Sequence, residues 1–393
     1  MKRPLLALAS SLVANALLAA GLTPFDNALE TILANDPQIK SARLNATAEE
    51  KSAATEANLS DPELEGEYIF SPKGTPNRWS VGISQSFDWP GVYSARKRAA
   101  SASATAFHYL ADAIEFDHRS QISSLLIDYI HSTKAIEALN EVRKATQELK
   151  SAVDTGVNGG ELTRLDQNKL IIELARLDAR LSALYGERDA TIASLAELNG
   201  SDNLGDILGQ LTEYPPYTIA EVDHYLGNLS RNPSVKAASA RAEADMLGRK
   251  VADFERYPGF SIGYTHNYED YMHFNGITVG LTLPVFSTRG KIAAAEAAIE
   301  ASRSEVVSVE ATRRAAIISN HKIARQLAGE LTTLAPLFET TSSTALLLKA
   351  YKGGQMNVMD YITELNYFLD ARLDYLDILH RYNSALNSLE QYN

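Results

Sequence analysis

The chain of 393 residues contains no cysteine. That absence excludes disulfides, thiolate metal sites, cysteine nucleophiles and a lipid-modified mature N-terminus, which would need a cysteine. Positive charge is also in short supply. The net charge of −12 argues against nucleic acid as a partner and would suit cations, with simple solubility as the plain alternative. No nucleotide-binding loop, Ser/His/Asp set or zinc-protease helix is present, so no enzyme, cofactor or resident metal is expected. After Gly21 no apolar run is long enough to cross a bilayer as a helix. Proline and glycine are missing from Val92 to Thr155 altogether.

That stretch is the first positive signal. Phe107, Leu110 and Ile114, then Ile122, Leu125 and Tyr129, then Ile136, Leu139, Val142, Leu149 and Val153 follow three-and-four spacing. The spacing predicts one helix of roughly 95 Å at 1.5 Å per residue. It stops at Gly156-Val157-Asn158-Gly159-Gly160, and a second helix with a leucine stripe is predicted over Glu161–Leu198. A short turn between two long striped helices makes an antiparallel hairpin.

Upstream, Met1–Gly21 reads as a secretory signal, with Lys2 and Arg3 before an apolar run from Leu5 to Ala20. Two short helices are predicted next, Phe25–Asn35 capped by Asp26 and Ile39–Leu59. The period then becomes two. Leu64, Gly66, Tyr68 and Phe70 alternate with Glu63, Glu65, Glu67 and Ile69; after a turn-rich segment, Trp79, Val81, Ile83, Gln85 and Phe87 alternate with Arg78 and small polar residues. Each strand approaches the length that crosses a bilayer when tilted. Aromatic residues gather at the ends: Tyr68, Phe70, Trp79, Phe87 and Trp89.

The second half repeats the first. Asn232-Pro233 answers Asp36-Pro37, and Tyr257-Pro258 answers Asp61-Pro62 at the same offset. Strands follow through Phe260, Ile262 and Tyr264, then a loop near Asn267–Asn275, then Ile277 to Leu283. A helix from Lys291 to Lys352 ends at Gly353-Gly354, and a last striped helix closes the chain. Asp166 stands six residues after Gly160, as Asp360 does after Gly354. The boundaries are therefore a signal at 1–21, a first repeat at 22–213 (strand pair about 63–88, helical hairpin about 91–199) and a second at 214–393 (strand pair about 259–285, helical hairpin about 290–390).

Four strands cannot close a membrane barrel, because known barrels begin at about eight. If these strands lie in a bilayer, several chains must share one barrel: two would give a narrow filled pore, three would give twelve strands and a lumen.

In its duplication, strand pairs and tip turns, Gly156–Asn168 and Gly353–Asp360, the mature chain resembles the TolC-type outer-membrane efflux family. Gln85–Gly91 with Arg96 and Arg98, and Pro284–Lys291, are most similar to its heavy-metal-cation branch. The resemblance implies a mainly α fold with a small β part. In it, long antiparallel helical hairpins form a periplasmic tunnel, and four transmembrane strands per chain close a twelve-stranded barrel as a homotrimer. It further implies a Gram-negative outer-membrane location. The expected partners are membrane lipid, a periplasmic membrane-fusion adaptor and an inner-membrane pump of the resistance-nodulation-division type. The function implied is a passive exit duct, for divalent metal cations in that branch. A periplasmic coiled-coil structural or adaptor protein is the rival reading.

By the same resemblance Asp166 and Asp360 fall where acidic residues line the periplasmic gate. The family's second acidic position is Thr363 here, with Glu364 one residue later. The alternative role for both aspartates is helix capping. Gly156, Gly159, Gly160, Gly353 and Gly354 form the tip turns an adaptor would grip, and their simpler role is to permit positive φ. Tyr68, Phe70, Trp79, Phe87, Trp89 and Tyr264 are the expected membrane aromatic belt. His266, Glu269, Asp270, Met272 and His273 share one loop in a spacing that fits no defined metal site.

Overall fold

The computed structural model describes residues 23–339 and 343–393. The expected signal segment at Met1–Gly21 lies outside the described residues. The fold is mainly helical with one small antiparallel sheet, as the sequence predicts. In order the elements are α1 (Pro24–Asn35), α2 (Pro37–Ala53), β1 (Glu63–Ile69), β2 (Arg78–Phe87), α3 (Pro90–Asn158), α4 (Arg164–Asn199), α5 (Gly205–Leu208), α6 (Val222–Gly227), a 3₁₀ turn (Leu229–Arg231), α7 (Pro233–Phe254), β3 (Gly259–Glu269), β4 (Met272–Thr282), α8 (Lys291–Glu339), α9 (Ser343–Lys352) and α10 (Val358–Glu390). The chain divides into two compact units. The first takes the chain up to Lys40 with Glu115–Asn228 and Arg314–Asn393; the second takes Ser41–Ile114 and Leu229–Arg313.

In the first unit, α1 starts one residue earlier than expected. Thr23 is the N-cap, Pro24 fills the first helical position where no N–H is needed, and Asp26 completes a capping box. Asp26 is thus the third residue of the helix rather than its cap. Phe25, Leu29, Ile32 and Leu33 bury against Ile122, Leu126, Ile127 and Ile130 of α3 and Leu195 and Leu198 of α4. Each such side chain is worth roughly 1.5–3 kcal/mol on burial. Asp36, fully buried, both ends α1 and begins α2: its Oδ1 accepts from the backbone N–H of Gln38 (2.7 Å) and Ile39 (3.2 Å), and its Oδ2 lies 2.6 Å from His118 Nδ1. A second core joins α3, α4, α9 and α10 through Leu139, Leu149, Val153, Leu170, Leu177, Leu347, Tyr361, Leu365 and Leu369.

α2 stops at Ala53, short of the expected Leu59. Thr55 caps the end locally, its hydroxyl donating to Ser52 O at 2.7 Å, and such side-chain competition favours a turn over a further helical residue. α3 is longer than expected, 69 residues, about 100 Å at the standard rise.

In the second unit the sheet runs β1-β2-β3-β4, every neighbour antiparallel. The expected loop near Asn267–Asn275 is instead a continuation of both strands around a two-residue turn. Asp270 (φ 50°) and Tyr271 (φ 62°) both adopt positive φ, as a type I′ hairpin requires. Tyr268 and His273 stay in register across it, and Tyr268 opposite Trp79 extends the ladder.

Candidate functional site

Two regions carry the residues singled out by the sequence: the tip turns of the first unit and the sheet of the second.

Both tip turns are built alike. At the end of α3, Glu161 N–H donates to Gly156 O (2.9 Å) and Gly160 N–H to Val157 O (3.1 Å), the paired bonds of a Schellman motif. At the end of α9, Gln355 N–H donates to Ala350 O (3.0 Å) and Gly354 N–H to Tyr351 O (2.9 Å). Only two of the five tip glycines need positive φ, Gly160 (+77°) and Gly354 (+70°). Gly156 is helical and is small for a different reason: a Cβ there would sit 2.8 Å from Leu162 Cδ1. Three residues after each left-handed glycine a polar cap starts the next helix, Thr163 in one turn and Asn357 in the other. The first three residues expected in a helix from Glu161 are therefore used by the turn.

Asp166 is the third residue of α4 and closes a capping box. Its carboxylate accepts from Thr163 Oγ1 (2.6 Å) and Thr163 N (3.3 Å), with Lys169 Nζ at 3.8 Å. The Thr163 hydroxyl bond holds this carboxyl below the usual range. Asp360 occupies the same place in α10. Its N–H donates to Asn357 Oδ1 (2.9 Å) and its carboxylate accepts from Asn357 Nδ2 (2.7 Å). Asp360 and Glu364 are both exposed, while Thr363 donates its hydroxyl back to Met359 O at 2.9 Å. Beneath the turns, Tyr351 and Tyr361 meet edge to face at 5.9 Å, and Arg180 bridges α4 to Asp370 of α10 at 3.1 Å.

In the sheet, register sorts the side chains onto two faces, since directly paired residues point the same way. One face carries Leu64, Tyr68, Trp79, Val81, Ile83, Phe87, Phe260, Ile262, Tyr264, Ile277, Val279 and Leu281, with Gln85, His266, Asn275 and His273 as its polar members. The other carries Glu63, Glu65 and Glu67 with the Ser, Gly and Thr positions of β2, β3 and β4. It is interrupted by Ile69, Phe274 and Met272 at the hairpin end. Aromatic residues form two rows on the apolar face. Tyr68, Trp79 and Tyr268 are cross-strand neighbours at the hairpin end, and Phe87 stacks on Phe260 (5.3 Å) at the other. The rows are about 27 Å apart along a strand at 3.4 Å per residue. Phe70 lies just past β1 with its ring 5.0 Å from Tyr68, Trp89 stacks on Tyr257 (5.4 Å) beyond the Phe87 end, and Tyr264 sits between the rows.

Residues absent from the sequence-level site also stand out. Glu63, Glu65 and Glu67 form a carboxylate file on the hydrophilic face; their strict alternation was the available signal. Arg96 binds Asp88 (2.7 Å) and Glu255 (3.0 Å), and Lys291 reaches the other oxygen of Glu255 (2.6 Å). Burial alone would raise the Glu255 carboxyl, but the two cationic partners outweigh it and hold it low. No local motif announces this cluster, because its members are scattered over four segments. The five residues of the presumed loop divide. Met272 shares the hydrophilic face, Glu269 pairs with Arg78 (2.7 Å), Asp270 is in the turn, and His266 and His273 lie together on the apolar face. Among the described residues no group of three or more His, Asp or Glu is placed to hold a metal.

No family model matches the chain, and no curated protein does. Solved structures match it closely in fold. A membrane protein from Pseudomonas aeruginosa superposes with TM-score 0.78 at 16% identity, covering 94% of this chain and 90% of its own. The CmeC outer membrane channel of Campylobacter jejuni gives 0.74 at 16%, covering 94% and 85%. The open-state MtrE outer membrane channel of Neisseria gonorrhoeae gives 0.75 at 15%, covering 94% and 88%. The chain thus has the fold of these outer-membrane channels over nearly its whole length.

Proposed function

We propose that the chain is the outer-membrane channel of a tripartite efflux system, a passive duct through which solute leaves a Gram-negative cell. The observation that carries this reading is the sheet. One face is predominantly apolar and banded by aromatic residues at both ends, the other is hydrophilic, and among the described residues strands β1 and β4 each have one edge with no strand beside it. A bilayer tolerates such edges only when they are closed against other strands. Three copies would supply twelve strands, with the apolar face toward lipid and the Glu63–Glu65–Glu67 file toward a water-filled lumen. A soluble coiled-coil adaptor has no use for an exposed, aromatic-banded sheet face.

The helical hairpins would extend into the periplasm, where the two tip turns meet a membrane-fusion adaptor, and an inner-membrane pump would provide the energy. The chain itself performs no bond chemistry. Asp360 and Glu364, exposed beside the second tip, would contribute the acidic ring of the gate. Asp166, engaged in its capping box, would contribute more to holding α4 than to the passage. Divalent cations fit an acidic lumen as solutes. Outer-membrane fractionation and planar-bilayer recording test the proposal: heat-modifiable trimers with stable conductance are expected, and a soluble monomer without conductance would sink it.

A further inference from the structure

The hairpin β3–β4 brings together two imidazoles that the duct does not use. His266 lies opposite Asn275, and His273 lies opposite Tyr268, so the two histidines are diagonal neighbours on one face. His266 Nε2 and His273 Nδ1 are 3.1 Å apart. On its far side His266 Nδ1 meets Asn275 Oδ1 at 2.8 Å, and the same oxygen accepts from the Tyr264 hydroxyl at 2.6 Å.

The bond to Asn275 Oδ1 assigns one tautomer to His266. A carboxamide oxygen only accepts, so His266 carries its hydrogen on Nδ1 and leaves the Nε2 lone pair directed at His273. Such anchoring of the distal ring nitrogen to a carbonyl is what fixes a metal-binding imidazole in tautomer and orientation. Two nitrogens bound side by side at about 2.0–2.1 Å from one ion stand about 3 Å apart. The observed spacing matches. His273 would carry its own hydrogen on Nε2 instead of Nδ1, so both rings stay neutral and no proton is lost. The type I′ turn at Asp270–Tyr271, two residues from His273 in the ladder, keeps the strands in register and the pair preformed.

We propose that His266 and His273 form a two-histidine chelate for a divalent transition-metal ion, copper(II) foremost, with water completing the coordination shell. Imidazole suits copper, nickel and zinc, and affinity at one nitrogen site peaks at copper. No carboxylate supplies a third ligand among the described residues, and Glu269 is held by Arg78 at 2.7 Å and points to the opposite face. Hard cations such as magnesium, which demand oxygen ligands, are poor competitors here. The inference does not rest on the duct reading, because it needs only this hairpin.

The site carries its own reporter. Trp79 is one of two tryptophans, and its ring lies 5.5 Å from His266 and 6.2 Å from His273. Copper(II) bound between the two rings will quench it. The test is a titration of untagged, detergent-solubilised W89F protein with copper(II) in a non-chelating buffer, followed by tryptophan fluorescence and by metal content after desalting. Saturable quenching with one ion per chain is expected, undiminished by excess magnesium. His266→Ala with His273→Ala abolishes it, while Asn275→Ala, which frees the tautomer without removing a ligand, weakens it by about tenfold. Circular dichroism of each variant verifies folding; His273 is exposed and His266 half-buried, so neither is part of a closed core and the sheet survives their loss. No quenching in the parent, or equal quenching in the double variant, overturns the proposal.

Discussion

Gly160→Ala separates backbone strain from contact at the tip. Gly160 has φ +77°, and an added Cβ would meet no atom within 4 Å, so any cost comes from the backbone alone. An L-residue in the left-handed region costs about 1–2 kcal/mol. Alanine recovers about 0.4–1 kcal/mol by restricting the unfolded chain. The net is a local destabilisation of about 1 kcal/mol, or about fivefold in the opening equilibrium. The bond it loosens is Glu161 N–H to Gly156 O. Hydrogen exchange at the Glu161 amide should therefore quicken about fivefold, with Gln355 of the other turn unchanged. Gly354→Ala, at φ +70° and also free of neighbours, produces the mirror result at Gln355. Gly156→Ala behaves differently. Its φ is helical and its Cβ would meet the Leu162 side chain, Cδ1 at 2.8 Å and Cγ at 3.1 Å, and no backbone atom, so Leu162 shifts and Glu161 protection holds. Equal exchange in Gly160→Ala and the parent, or a larger loss in Gly156→Ala, would refute the reasoning.

Replacing Glu63, Glu65 and Glu67 with glutamine lowers cation-over-anion preference, read as a reversal potential across a salt gradient in a planar bilayer, and the effect shrinks at high salt as screening takes over. Asp360→Ala changes conductance or divalent block, whereas Asp166→Ala leaves the current alone and loosens α4 at its start, visible as faster exchange of the Asp166 amide. Arg96→Ala leaves Glu255 with Lys291 as its remaining cationic contact in that cluster and costs about 1–2 kcal/mol by denaturant melting; Arg96→Lys recovers part of it, since lysine lacks the fork that reaches Asp88 and Glu255 together. His131 faces His380 with ring centroids 4.6 Å apart, beside Asp377 and Asp128, the two carboxylates that also act on the half-buried Tyr214; burial first, and His380 second, lower its pKa below 6.5. A base with a depressed folded value is protonated more readily when unfolded, so stability falls as pH drops below about 6.5. His131→Gln flattens that slope, and a melting profile that keeps the parent's acid slope would contradict it.

Periodicity by itself determines much of this molecule. The unbroken stripe from Phe107 to Val153, and glycines at both of its echoes, are enough to specify long helices reversing at short turns, because a helix of that length must bury one face along its whole extent. The alternation from Glu63 to Phe87 likewise specifies a two-faced sheet, since strand side chains have no third direction. What local pattern cannot reach is anything joining distant segments. The Thr163–Asp166 capping box is local and its three-residue spacing was readable, although the Schellman turns decide that Thr163 and Asn357 are the caps. Arg96, Asp88, Glu255 and Lys291 converge through tertiary packing. His266 and His273 looked like part of an irregular loop until cross-strand register, set by Trp79 and Tyr268, carried the strands to a two-residue turn and brought the imidazoles face to face.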